Sequence, residues 1–227
     1  MSRCFFIAGT DTEVGKTFVS VTLLHAAKKQ QLTTSALKPI AAGCEKTSKG
    51  TFNEDALALQ QAISTQLDYE RINPVALESA IAPHIAAAQE GRKVSAAQLL
   101  EACQPVLHGE QQFTLVEGAG GWRVPLNDEE TLADFVKDLN IPVILVVGMR
   151  LGCINHALLT VEAIANDGLP LAGWVANQID ANMPVIDENL ATLTARINAP
   201  CLGHIPFLHN AEPIDAVKYV DIGKLLV

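Results

Sequence analysis

The segment from Arg3 to Lys29 constrains this chain more than any other. An apolar run, Arg3 to Ala8 (RCFFIA), leads directly into Gly9-Thr10-Asp11-Thr12-Glu13-Val14-Gly15-Lys16-Thr17. Phe18 to Lys29 (FVSVTLLHAAKK) then shows helical spacing, with basic residues in its last turn. A strand buried on both faces, a glycine-bounded loop and a helix start together make a cradle for phosphate. Glycine lets successive amides turn inward, and the helix N-terminus adds its partial positive charge. Lys16 is expected to reach the β- and γ-phosphates and the Thr17 hydroxyl to ligate Mg²⁺. The loop is one residue longer than the usual G-x-x-x-x-G-K-[ST] spacing, so the strict motif is not met.

The rest of the chain repeats the alternation. Ser35 to Lys38 reads as a short strand stopped by Pro39. Phe113–Val116, Val143–Val147, Leu171–Ala176 and Cys201–Ile205 read as further strands. Helical spacing marks Asp55–Ile63, Ala96–Leu107, Asn155–Asn166 and Glu188–Ile197. Continuous apolar strands alternating with helices predict a three-layer α/β protein, a mostly parallel sheet with helices on both faces. At 227 residues, 49% hydrophobic and only 18% charged, the chain can bury such a core in a single domain, 1–227. The stretch after Pro206 has no readable pattern.

Composition narrows the partners. A net charge of −9 argues against a general nucleic-acid or anionic-membrane surface. It leaves phosphate ligands open, because screening over roughly 8 Å lets a local lysine outweigh distant acids. The five cysteines, Cys4, Cys44, Cys103, Cys153 and Cys201, form no C-x-x-C pair and predict neither a disulfide framework nor a zinc site. The longest apolar run, near Pro142–Gly148, falls well short of the ~18 residues of a membrane span. A reducing, cytoplasmic setting is the expectation.

In a parallel sheet, ligands bind outside the carboxyl ends of the strands. Glu117 stands at such an end and leads into Gly118-Ala119-Gly120-Gly121, where backbone can approach a ligand closely. It is a candidate metal ligand. Asp55 opens its helix, and position alone favours a capping role there. Lys38 ends the second strand, where position alone suggests only a solvated side chain.

Taken together, these segments resemble the dethiobiotin synthetase family. The matching pieces are GTDTEVGKT (Gly9–Thr17), KPIAAG (Lys38–Gly43), NEDALALQ (Asn53–Gln60), VEGAGGW (Val116–Trp122), PVILVVG (Pro142–Gly148), LGCINHALLT (Leu151–Thr160) and GWVAN (Gly173–Asn177). VEGAGGW with LGCINHALLT is much more specific than the loop. The family also uses the longer loop. The resemblance implies a P-loop NTPase fold, and a reaction in which 7,8-diaminononanoate, CO₂ and MgATP give dethiobiotin, ADP and phosphate. It further implies a homodimer.

Carried over residue by residue, the resemblance makes Thr17, Asp55 and Glu117 the Mg²⁺ ligands. Lys16, Lys38 and Glu13 become the catalytic groups. ATP would lie along Thr12, Glu13, Val14, Gly15, Lys16, Thr17, Phe18 and Glu117. Asn177 would bond the adenine, and Pro206, Phe207 and Leu208 would flank it. The diamine would meet Lys38, Ala42 and Gly120, and its carboxylate the helix start at Gly152, Cys153, Ile154 and Asn155. A helix cap is the lesser alternative for Asn155, and neither Trp122 nor His156 receives a role. Two departures stand out. Ala42 replaces a serine common in the family, and Asn189 stands where some members carry a tyrosine reaching a neighbouring subunit. A lost hydrogen bond to a charged group is worth ~1.5–3 kcal/mol, so substrate affinity is the property these changes touch.

Three rival readings fit less well, one of them a non-catalytic nucleotide-binding regulator descended from the enzyme, which Ala42 and Asn189 leave open. Chromosome-partition and septum-placement ATPases carry an extra lysine where this chain has Asp11. Corrinoid-diamide synthetases carry a glutaminase domain for which there is no room.

Overall fold

β-branched and aromatic runs long enough to be buried on both sides form one all-parallel sheet. In the computed structural model, which describes residues 3–226, the chain runs through β1 (Arg3–Gly9), α1 (Lys16–Lys29), β2 (Thr34–Leu37), β3 (Ile40–Ala41), β4 (Glu45–Thr47), β5 (Gly50–Phe52) and α2 (Glu54–Ala62). It continues with α3 (Tyr69–Ile72), β6 (Val75–Ala76), α4 (Pro83–Gln89), α5 (Ala96–Leu107), β7 (Phe113–Glu117), α6 (Leu132–Leu139), β8 (Val143–Met149) and α7 (Cys153–Asn166). It closes with β9 (Leu171–Gln178), α8 (Ile186–Arg196), β10 (Cys201–Ile205) and two 3-10 segments, Pro213–Tyr219 and Ile222–Leu225. The six-stranded sheet has the order β10-β9-β8-β1-β7-β2. β3–β6 and β4–β5 make two small separate ladders.

Alternation along the central strands divides the core. Phe6 and Ala8 face one side of the sheet, Phe5 and Ile7 the other. Val143, Leu145 and Val147 likewise pack on the first side, and Ile144 and Val146 on the second. The first side is covered by α4 to α8, the second by α1, α2 and the C-terminal 3-10 segments. All seven residues of β8 are buried, which is why this strand reads as an unbroken apolar run rather than as alternation.

The capping role that position favoured for Asp55 is corrected, and the capping alternative for Asn155 is removed. Asp55 does not cap its helix: α2 starts at Glu54, and the cap is Asn53, whose side chain accepts from the Ala56 amide at 3.2 Å. Asn155 is not a cap either, because α7 begins two residues earlier with Gly152 as its cap. Both side chains are therefore released from holding a helix end.

Candidate active site

Register brings the functional strand ends level. Ile7 pairs with Glu117 and Leu37 with Val116, so the loop after β1, Glu117 and Lys38 stand on three adjacent strands. They meet at a cleft of about 770 Å³ whose walls include Thr12, Glu13, Gly15, Lys16, Thr17, Lys38, Ala42, Asp55 and Gly120. Nine of the residues singled out from sequence thus share one space.

One carboxylate oxygen organises the floor. Glu117 is fully buried, and its Oε1 accepts from the Thr17 hydroxyl at 2.8 Å and from the Lys38 ammonium at 2.7 Å. Lys38 also donates to Asp55 Oδ2 at 3.0 Å and to the Gly118 carbonyl at 3.2 Å. Glu117 Oε2 is buried without a partner, an unusual and costly condition for a carboxylate oxygen. Burial by itself lowers the Lys38 pKa, but the charges and hydrogen bonds of Glu117 and Asp55 outweigh it and the net shift is upward. For Asp55, burial favours the neutral acid, yet the Lys38 charge and the neighbouring Thr17 side chain prevail and keep its pKa below the usual value.

Lys16 is different. Its ammonium reaches the carbonyls of Gly120 at 2.6 Å and Asp11 at 3.2 Å. Burial, then repulsion from Lys38, bring it down to about 8. No carboxylate bonds it directly, so it is the cation with the most to gain from an incoming anion.

The loop that carries Lys16 is held open by its backbone. Gly15 has φ +82° and caps α1 without any side-chain hydrogen bond, which leaves the first-turn amides to a ligand. A Cβ on Gly15 would lie 2.2 Å from Asn177 Nδ2. Glu13, with φ +58°, holds a left-handed conformation that costs a non-glycine residue about 1–3 kcal/mol. Val14 is buried, and its carbonyl accepts from Asn177 Nδ2 at 2.9 Å. Phe18, half-buried, packs against the core face beneath α1.

The residues expected to face a base lie together on the other side of the loop. Asn177 pairs with Ile205, and Pro206, Phe207 and Leu208 follow at once. The Phe207 amide bonds Gln178 Oε1 at 3.3 Å, and its ring is 43% exposed. By contrast Gly152, Cys153, Ile154 and Asn155 do not line the cleft of their own chain. They form a second bare helix start, with Gly152 at φ +93° and no capping side chain, and Cys153 Sγ lies 4.0 Å from Asn189 Oδ1. Trp122 is structural, with its ring edge-on to Phe6 and Nε1 donating to Asp167 at 2.7 Å.

Among the described residues no group of three or more His, Cys, Asp or Glu could cage a metal. The cleft offers instead a hydroxyl and two carboxylates, a partial set of hard oxygens. Mg²⁺ is commonly bound that way, with water and phosphate filling its remaining positions. The unpartnered Glu117 Oε2 fits such a donor set.

The family model described as an AAA domain matches residues 3–215. An ATP-dependent dethiobiotin synthetase from Cellvibrio japonicus is 59% identical over 224 residues, covering 99% of this chain and 98% of the relative. The chain belongs to the ATP-dependent dethiobiotin synthetase family. Another dethiobiotin synthetase, BioD 1 of Escherichia coli, is 48% identical across 99% of this chain and 100% of its own length. Among solved structures, chloroplast FtsY from Physcomitrella patens aligns at TM-score 0.58 and 15% identity, over all of this chain and 64% of FtsY. The septum site-determining protein MinD with Mg-ADP from Pyrococcus horikoshii aligns at 0.54 and 17%, over 91% and 82%. These two share the fold only. For a dethiobiotin synthetase the structure adds polar residues that sequence reasoning passed over. Arg150, just after β8, pairs with Asp11 across the loop, and Arg123 lines the cleft. Both follow strand ends, the signal by which they were findable.

Proposed function

We propose that the protein closes the ureido ring of dethiobiotin from 7,8-diaminononanoate, CO₂ and ATP. The observation that carries the reading is Glu117 Oε1 joining the loop threonine to Lys38 in one cleft, in a chain of this family. One amine nitrogen adds to CO₂ and loses a proton, forming a carbamate. A carbamate oxygen attacks the γ-phosphorus, and the bond to the bridging oxygen breaks to release ADP. The second amine attacks the carbonyl carbon of the mixed anhydride, expels phosphate and closes the ring. That last step is intramolecular, so positioning contributes much of its rate.

Lys16 and the first-turn amides of α1 bind the β- and γ-phosphates. Lys38, with Lys16, would offset charge on the γ-phosphoryl group and the carbamate. Glu13, on the cleft wall, takes an ammonium proton. Thr17, Asp55 and Glu117 would hold Mg²⁺, which when bound offsets phosphate charge. Ala42 and Gly120 border the diamine, and Asn177 with Pro206, Phe207 and Leu208 takes the adenine. The helix start Gly152–Asn155 receives the substrate carboxylate. It lies outside its own chain's cleft, which supports a homodimer in which a second copy supplies that end of the site. The test is incubation with MgATP, bicarbonate and 7,8-diaminononanoate, followed by mass detection of dethiobiotin. ATP turnover indifferent to the diamine would overturn the proposal.

A further inference from the structure

Behind Lys38 and Asp55 runs a buried chain of hydrogen bonds that the reaction scheme does not use. The Tyr69 hydroxyl accepts from the Asn53 amide at 2.6 Å and donates to Asn73 Oδ1 at 3.0 Å. Asn73 Nδ2 donates in turn to the Lys38 carbonyl at 2.7 Å and to the Val75 carbonyl at 3.2 Å. The Lys38 amide donates to Ile72 at 2.7 Å. Asn53 closes the circuit as the cap of α2, two residues before Asp55. Asn53, Tyr69 and Asn73 are all buried, and the Tyr69 ring packs on Phe52 with centroids 4.7 Å apart.

We infer that Tyr69 and Asn73 are positioning residues that fix the distance between Lys38 and Asp55. Lys38 leaves the end of β2, and Asp55 rides the first turn of α2. Beyond the direct 3.0 Å ion pair, these two backbones are tied by α3, a single helical turn carrying Tyr69 and, just past its end, Asn73. The short helix holds little stability of its own, since four residues cannot offset the cost of nucleation. It is held by the fully buried Ile72 on one side and by the hydrogen bonds of Tyr69 and Asn73 on the other. Replacing Tyr69 by Phe keeps the ring against Phe52 but leaves the Asn53 amide without its acceptor and Asn73 Oδ1 without its donor. The start of α2 would then be free to shift, and Asp55 with it.

This rests on the reading of Asp55 as a magnesium ligand, and the experiment separates the two. Binding of a non-hydrolysable ATP analogue is followed by calorimetry as Mg²⁺ is raised, in wild type, Y69F, D55N and the double variant, each well below its thermal midpoint. Y69F is expected to raise the Mg²⁺ concentration for half-saturation about five- to ten-fold, the scale of one lost buried hydrogen bond. In the D55N background the same substitution is expected to change it little, because Tyr69 acts through Asp55. An equal effect of Y69F in both backgrounds would mark Tyr69 as general support for the fold and overturn the inference. So would a Mg²⁺ response to D55N with none to Y69F. No response to D55N itself would remove the ligand assignment, and the inference with it.

Discussion

Lys16 and Lys38 are both buried lysines in one cleft, yet their surroundings push them in opposite directions. Lys38 has two carboxylates in contact and stays charged, while Lys16 has only carbonyls and falls to about 8. The sign of the consequence follows from linkage. Between about 8 and the ordinary 10.5 the unfolded chain binds more protons at Lys16 than the folded one, so its contribution to stability is least below 8 and improves as pH rises through that window. ATP binding runs the other way, because it needs the proton. ATP affinity should fall as pH rises through about 8, measured by calorimetry across a pH series, and whatever binding remains in Lys16→Arg should lack that break. A flat wild-type profile would contradict the assignment. Lys38→Ala should lower turnover by roughly two to four orders of magnitude while thermal unfolding stays cooperative, in line with loss of a charge-stabilising group at a reacting centre. Near-normal ring closure in that variant would remove its role.

At the scale of elements, the six sheet strands and the helices α1, α2, α5, α7 and α8 were legible in the sequence. The helices are long enough for periodicity to show, and the strands stand out as continuous apolar runs. The shortest elements were missed for one cause. β3 and β6 are two residues each and exist because Ile40 meets Val75 across 35 positions, which no local pattern announces. α3 is four residues long. α6 went unread although Thr131 and Asp134 form a capping box at its start, so there the signal was present in the sequence. The phosphate loop was the reverse case: its order was plain, and what the sequence withheld was its dependence on a distant strand. Gly15→Ala should show that dependence. Its methyl group would collide with Asn177 and its φ of +82° is strained for alanine, so nucleotide affinity should drop at least ten-fold by fluorescence titration. Unchanged affinity would mean the loop relaxes freely.

Across the whole molecule, the candidate site was legible where strand ends carried its residues and opaque where only pairing did. Glu117 was visible from position; Lys38 and Asp55 were not, and they became meaningful only through family resemblance and then through their contact. Leu151, just before α7, is 93% exposed, and Leu159, midway along the same helix, is 57% exposed. If a second copy covers them, Leu159→Asp should shift sedimentation toward monomer and reduce ring closure together. Wild type that sediments only as monomer with full activity would refute the dimer. Asn177, finally, gives one amide hydrogen to Val14 and retains the other, along with its carbonyl lone pairs. One donor beside one acceptor mirrors the amino group and ring nitrogen along the outer edge of adenine, whereas guanine presents two acceptors there. On the proposed adenine contact, the bond that braces the phosphate loop would leave the same side chain a donor and an acceptor to offer the base.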